Sequence, residues 1–315
     1  MSTEISYTPE EVANILKISR FTVYELIKRG DLTAYRIGRK VRVEAPDLEN
    51  YKQKAKRLPV SPAYVQTETE RDINPNSSSI DEGLIICGQD LVLDILTRHL
   101  EKRFPHVRFL RNYVGSMDGL SALYHGQANV VTAHLWDGDT NEYNLPYIRH
   151  LVPGHKTVVF NLFYRMEGFY VAAKNPKNIQ TWADLRQPGL RFVNRERGSG
   201  ARVLLDEHLR QLGIPHSRIN GYEQEETSHV AVASRVARGE ADVGLGIEKA
   251  AMQVQAVEFI PMQKERYDLV MREEDMGKPH FQALLEILRS PAFRNEVVGI
   301  GGYDVADMGK QLAEI

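Results

Sequence analysis

Apolar positions in the first 57 residues recur twice at helical spacing and then switch to alternation. Val12, Ile15 and Leu16 form a stripe at i, i+3 and i+4, and Val23, Leu26 and Ile27 repeat it. The first helix has a dense start: Thr8 caps it, Pro9 takes the first helical position, and Glu11 stands where a capping box needs its acid. The chain turns at Lys17-Ile18, Ser19 caps the second helix, and Gly30 ends it. Two short helices joined by a tight turn predict a helix-turn-helix. Ala34-Tyr35-Arg36-Ile37 and Lys40-Val41-Arg42-Val43 then alternate as strands, and Gly38-Arg39 between them fits a type II′ hairpin. Arg36 falls on one side of this ribbon, with Arg39, Lys40 and Arg42 at or near its tip. A ribbon of this kind lies along a phosphate backbone while the preceding helix enters the major groove. Residues 46–57 read as a closing helix that ends in Lys52, Lys54, Lys56 and Arg57.

Periodicity stops at residue 58. Residues 58–82 hold Pro59, Pro62, Pro75 and the run Asn76-Ser77-Ser78-Ser79, the composition of a linker. From Leu84 the pattern is that of strands feeding helices through small polar loops. Leu84-Ile85-Ile86-Cys87 runs into Gly88-Gln89-Asp90 and a periodic helix. A second strand near Val107 to Leu110 leads to Gly115-Ser116-Met117 and a helix ending at Gly126. Leu190-Arg191-Phe192-Val193 leads to Arg197-Gly198-Ser199-Gly200-Ala201 and a helix through Leu212, and Thr227-Ser228 opens another that ends at Gly239. One internal echo stands out. Ala122 to Val130 and Arg235 to Val243 both read as a helix stopped by glycine, a short polar turn and an apolar strand. Two copies 113 residues apart predict two similar α/β lobes, although such turns are common in α/β chains.

Glycine lets a backbone approach a ligand, and a helix start presents N–H groups with partial positive charge. Several such starts facing one cleft make a site for an anionic or strongly polar small molecule. Gly88, Gln89, Gly115, Ser116, Arg197, Gly198, Ser199, Gly200, Arg202, Thr227 and Ser228 are therefore the candidate ligand positions. His134 joins them from the end of the strand at Val130 to Ala133, or is an ordinary strand-end residue. For each loop alone, plain helix capping is the simpler account, and Arg197 or Arg202 can equally pair with Asp206. Asp90 opposes a bare anion beside the first loop unless it only caps its helix.

Composition narrows the classes. At 315 residues with 42% hydrophobic content, the chain can form more than one core. No apolar run approaches the 18 residues of a membrane span, and Glu4, Glu10, Glu11 and Lys17 near the start do not make a secretory signal. Cys87 stands alone, which excludes an intrachain disulfide and a cysteine-cluster metal site. A cytoplasmic address follows as an expectation. The net charge of −2 conceals an asymmetry: residues 1–57 carry 12 Lys and Arg against 8 Asp and Glu, hence +4, which leaves −6 for the rest. A basic head on an acidic body fits a DNA reader joined to a non-DNA domain.

The residues also carry two resemblances. Tyr7-Thr8-Pro9-Glu10-Glu11-Val12-Ala13, Ser19-Arg20-Phe21-Thr22-Val23-Tyr24 and Arg36-Ile37-Gly38-Arg39-Lys40-Val41-Arg42 resemble, in order and spacing, the excisionase-type, MerR-like DNA-binding domain. The resemblance implies a winged reader of duplex DNA with Ser19, Arg20, Thr22, Tyr24 and Lys28 on the groove side and Arg36, Arg39, Lys40 and Arg42 on the wing. Tyr24 fits the core of such a domain as well as the groove. Residues 84–310 resemble type-2 periplasmic-binding-protein domains, on Trp182-Ala183-Asp184-Leu185, Arg197 to Arg202 and Arg235 to Gly244. They look most like the subgroup fused to excisionase-type readers and to molybdopterin-biosynthesis proteins, whose relatives commonly bind molybdate or tungstate. The absence of an export signal departs from the transport members.

The expected architecture is therefore multidomain: a small α+β winged helix-turn-helix (1–57), a linker (58–82), and a two-lobed α/β periplasmic-binding-protein-like domain (83–315). Lobe 1 spans about 83–160 plus a C-terminal segment, and lobe 2 about 174–262, with crossover strands at Thr157 to Tyr164 and Gly168 to Ala173. Neither a Gly-x-x-x-x-Gly-Lys-Ser/Thr loop, a Gly-x-Ser-x-Gly elbow nor a His-Glu-x-x-His pair is present, and Gly244-Leu245-Gly246 lacks the third glycine of a dinucleotide fingerprint. The expectation is no catalytic residue, no cofactor and no direct side-chain metal ligand, but a homodimeric transcription regulator with a small oxyanion as effector. An enzyme or cofactor-handling protein of molybdenum-cofactor metabolism with a DNA-binding head is the alternative. A recombination accessory protein is a third reading, against which the long ligand-type body counts.

Overall fold

A computed structural model of the chain describes residues 6–16, 23, 26–27, 32–37, 40–57 and 83–315. The chain divides into two compact units, Met1–Ser77 and Ser78–Ile315. Residues 58–82, expected as a linker, lie outside the described residues.

In the first unit, β1 (Ser6–Tyr7) leads into α1 (Pro9–Leu16), followed later by β2 (Tyr35–Ile37), β3 (Lys40–Glu44) and α2 (Ala45–Arg57). The capping box forms: the Thr8 N–H donates to Glu11 Oε2 at 2.7 Å, and the Glu11 N–H to Thr8 Oγ1 at 3.2 Å. Val23, Leu26 and Ile27 are helical, and Val12, Val23 and Leu26 meet Leu32, Val43 and Leu48 in one core. Ala13 rather than Ile15 takes the inner place beside Val12, and Ile15 is exposed. Strands order β1-β3-β2, all antiparallel. Ile37 pairs with Lys40, the register of a two-residue hairpin.

The second unit begins with β4 (Leu84–Cys87), α3 (Leu91–Arg103), β5 (Phe109–Asn112), α4 (Ser116–Tyr124) and β6 (Val130–Ala133). A small hairpin, β7 (Trp136–Asp137) and β8 (Glu142–Tyr143), precedes α5 (Leu145–Leu151) and the long β9 (Thr157–Ala172). Then come β10 (Phe192–Arg195), α6 (Gly200–Gln211), β11 (Glu225–Glu226), α7 (His229–Ala237), β12 (Val243–Ile247) and α8 (Glu248–Ala251). A second long strand, β13 (Val257–Arg272), leads to α9 (Pro279–Arg289), α10 (Pro291–Ile300) and β14 (Gln311–Glu314).

One sheet runs through this unit in the order β11-β10-β12-β9-β13-β6-β4-β5, with β14 on β9. Its outer strands are parallel within each lobe, while β9 and β13 pair antiparallel along nearly their whole length. These two strands serve both lobes. At one end β13 pairs with β6, and at the other β9 pairs with β12. The two crossover strands expected at 157–164 and 168–173 are thus one strand, and the second crossover strand is β13, in residues expected to belong to lobe 2 and the return segment. Helices cover both faces, so each lobe has two apolar clusters: Leu93, Leu96 and Leu284 against Leu120, Leu123 and Ile148 in the first, Leu204, Leu205 and Leu209 against Val232, Ala233 and Val236 in the second.

The internal echo has a structural counterpart. Gly126 and Gly239 both have φ of +70°, the left-handed geometry that ends α4 and α7. Three residues later the match continues. The Asn129 N–H donates to the Ile85 carbonyl at 3.0 Å while its Oδ1 accepts from the Ile85 N–H at 2.8 Å. Asp242 does the same for Arg191, at 2.8 and 2.9 Å. Each pair ties the incoming strand to the first strand of its lobe.

Candidate functional site

Where β9 and β13 pass between the lobes, Arg165 and Glu265 are cross-strand partners. Both are buried, with side-chain exposures of 4% and 0%. Arg165 Nε donates to Glu265 Oε2, and its Nη1 donates to Asp90 Oδ2 at 2.7 Å. Glu265 Oε1 meets His134 Nδ1, which follows β6. Asp90 also caps α3 through the Val92 N–H (2.8 Å) and accepts from the Tyr303 hydroxyl at 3.0 Å. Tyr267 stacks between His134 and Phe163, both at 4.8 Å, with the Arg165 guanidinium 4.6 Å from its ring centre. The network joins five chain segments. Burial pushes the Glu265 carboxyl up, but the Arg165 guanidinium and then His134 outweigh it and hold it below the usual carboxylate range. Glu167, two residues along β9, is pushed well up by burial and by the Glu265 charge. Removing Arg165 alone strands two buried carboxylates, at a cost of about 3–5 kcal/mol.

Above this floor opens a cleft of about 610 Å³. Gln89, Ser116 and His134 line it from the first lobe; Arg195, Ser199 and Ser228 line it from the second. The lobes touch across it. Arg195 Nη2 donates to Gln89 Oε1 at 2.6 Å, Gln89 Nε2 donates to Glu196 Oε1 at 3.1 Å, and the Met117 N–H donates to the Gly198 carbonyl at 3.1 Å. Arg195 Nε also bonds Glu196 Oε2 at 2.8 Å, so the guanidinium and the carboxylate compensate one another. Lys249 differs: its Nζ donates to the carbonyls of Ile300 (2.6 Å) and Gly301 (3.2 Å) at the end of α10. The dipole at a helix end suits an ammonium.

Of the ligand positions expected from sequence, Gln89, Gly115, Ser116, His134, Ser199, Thr227 and Ser228 line this cleft. Gly88, Gly198 and Gly200 flank lining residues without lining it themselves. Arg197 and Arg202 lie outside the lining. Arg197 is exposed and pairs with Glu223 at 2.7 Å. Arg202 is buried, 4.0 Å from the Tyr222 ring centre, and bonds Glu225 at 3.0 Å, with Asp206 at 3.5 Å. Sequence reasoning missed Arg165, Glu167, Glu265, Arg195, Lys249 and Tyr303. A signal was present for two of them: Arg165 and Glu167 are alternate charges in a strand of otherwise largely apolar residues.

In the first unit, Ser19, Arg20, Thr22, Tyr24, Lys28 and Arg39 lie outside the described residues. Arg36 and Lys40 belong to the hairpin strands. Arg42 sits on the longer strand with Nη1 4.0 Å from Glu11 Oε2, a contact of little energetic weight at such exposure.

Comparison with known proteins accords with this division. A helix-turn-helix domain matches residues 6–66, and the PBP superfamily domain matches residues 97–289. The chain belongs to the PBP superfamily. It is 41% identical over 319 residues to the uncharacterised YvgK protein of Bacillus subtilis, covering all of both chains. A shorter protein from Clostridium pasteurianum, described by its place in the 5′ region of a 2Fe-2S ferredoxin gene, is 52% identical over 113 residues, 36% of this chain and all of its own. Among solved structures, a phosphate transport receptor from Vibrio cholerae covers 71% of this chain and 99% of its own, with 15% identity and a TM-score of 0.50. A phosphate-bound substrate-binding protein from Clostridium perfringens has the same coverage and identity, with a TM-score of 0.53. These likenesses show the fold. A helix-turn-helix joined to such a domain is the arrangement of a ligand-responsive DNA-binding regulator.

Proposed function

We propose that this chain is a cytoplasmic transcription regulator that reads duplex DNA as a homodimer through the winged helix-turn-helix of residues 1–57 and senses a small oxyanion, molybdate or tungstate foremost, in the cleft of residues 83–315. The observation that carries the reading is the convergence of three helix starts, at Ser116, Ser199 and Ser228, on one cleft shared by both lobes. A doubly charged tetrahedral anion offers only acceptors, so its shell must consist of donors. Of the acids in the lining, Asp90 is committed to Arg165 and Tyr303 and Glu196 to Arg195 and Gln89, while Asp118 is exposed to solvent. Lys249, whose Nζ donates to two carbonyls and to no carboxylate, brings a positive charge to the lining.

The hydroxyls differ in what they can give. Ser199 spends its single proton on the Glu196 carbonyl at 2.8 Å. Ser116 and Ser228 only accept, from the His134 and Ala231 N–H groups at 3.3 and 3.1 Å, and keep a proton for a ligand. Ligand bound across the cleft favours the closed lobes, and that shift is the signal passed to the DNA reader. Nothing in the reading requires a catalytic step. Calorimetry with molybdate, tungstate and sulfate tests it: one molybdate or tungstate binds per chain, more tightly than sulfate, and the Ser116→Ala, Ser228→Ala pair abolishes binding. Unchanged binding in that pair would sink the site. The cleft volume and its apolar rim of Leu91, Val114 and Val230 favour, as the second reading, a larger organic anion.

A further inference from the structure

The crossover floor holds three buried carboxyl groups, and Arg165 is bonded to two of them, Asp90 and Glu265. Glu167 is the odd member. It is 1% exposed, yet neither carboxylate oxygen has a hydrogen-bond partner. Its oxygen, a Glu265 oxygen and a ring nitrogen of His134 all lie within 4.8 Å of one another. We propose that His134, Glu265 and Glu167 form a binding site for one divalent transition-metal cation at the floor of the cleft.

The donor set is one imidazole and two carboxylates, the nitrogen and oxygen mixture that zinc and its neighbours accept. Bonds of about 2.1 Å to a shared cation allow donors up to ~4.2 Å apart, so the three close on it with a small adjustment. The cation takes the place between His134 Nδ1 and Glu265 Oε1 that a proton now holds, and it gives the Glu167 carboxylate the partner it lacks. The surrounding groups already orient the donors. Arg165 holds the other oxygen of Glu265, and Tyr267 stacks on the imidazole and fixes its plane. Access runs through the cleft, which His134 lines. His229 lines the same cleft, and its buried Nδ1 has no hydrogen-bond partner. The site does not depend on which ligand fills the cleft above it.

The test uses the full chain, stripped with a chelator and titrated with Co²⁺ alone, no oxyanion being present. One Co²⁺ per chain is expected to bind at micromolar concentration with visible d–d absorption, and Zn²⁺ is expected to displace it. Glu167→Gln keeps the shape of the side chain and should weaken binding on the order of 100-fold, the upper range for loss of even an outer partner; His134→Gln should do at least as much. X-ray absorption of the wild-type Zn²⁺ form should show imidazole and carboxylate scatterers, a readout that needs no variant to fold. Absence of stoichiometric binding would mean that Glu167 and Glu265 share a proton instead, and it overturns the proposal. Full-strength binding in Glu167→Gln, or a metal shell without imidazole, overturns it as well. Failure of the oxyanion reading would appear only in the separate anion calorimetry.

Discussion

Both tryptophans of the chain stack on one imidazole: Trp136 and Trp182 have ring centres 4.5 and 4.0 Å from that of His208. Burial disfavours the imidazolium and lowers the His208 pKa below 6.5, against the opposing pull of Gln263 and Glu207. As pH falls, the unfolded chain therefore takes up this proton first. The contribution of His208 to stability is fully present above about 6.5 and is lost as pH falls through the lower folded value. Tryptophan emission should titrate with a midpoint below 6.5, and the transition should vanish in His208→Gln. A midpoint above that value would mean that cation–π attraction to two indoles outweighs burial. A second prediction concerns Gly200. A β-carbon there would lie 2.1 Å from His134 Nδ1, and that ring is pinned by Glu265 and Tyr267. Gly200→Ala should lower the unfolding free energy by about 1–3 kcal/mol in chemical denaturation. A neutral effect would show that the imidazole moves freely off Glu265. Residues such as Thr8, Glu11, Gly126 and Gly239 announced their roles in sequence, because caps and left-handed turns are local. Arg165 and Glu265 did not, because a buried charge is explained only by its partner.

The elements follow local patterning where the strands are uniformly apolar and depart from it where charges stand inside them. The capping box, the helix ends and the strand at Leu84–Cys87 were legible as written. The two segments expected as separate crossover strands, 157–164 and 168–173, are one strand that carries Arg165 and Glu167 inside its apolar run. Val257–Arg272 went unrecognised as its mate, with Lys264, Glu265 and Arg266 at its centre. At the other end of the chain, the hairpin of β2 and β3 carries the DNA prediction. If it lies along the phosphate backbone, Arg39→Ala with Lys40→Ala weakens binding to all duplexes alike and shallows the dependence of log K on log salt by ~0.9 per lost contact. Filter binding or fluorescence anisotropy across a salt series reads this directly. An unchanged slope removes the wing from the interface.

At the scale of the whole molecule, one small reader contacts few base pairs, and a homodimer on a two-fold site supplies the rest. Sedimentation should give twice the chain mass on an operator fragment; a monomer both free and on DNA would count against the dimer. Among the described residues no helix is long and apolar enough to cross a membrane. The sequence by itself determined the two-module order, the lobes' repeated helix-to-strand turn and the polar helix starts, because these are set by chain-local spacing and dihedral preference. Only the tertiary structure decided which of those starts share a cleft, since Arg197 and Arg202 belong to the same loop and helix as Ser199 yet pair elsewhere. It alone assembled the floor as well. Asp90, His134, Arg165 and Glu265 come from four segments, and their meeting rests on the register of two antiparallel strands about one hundred residues apart. Hydrophobic periodicity carries no information about that register, whereas the requirement that each buried charge find its opposite does.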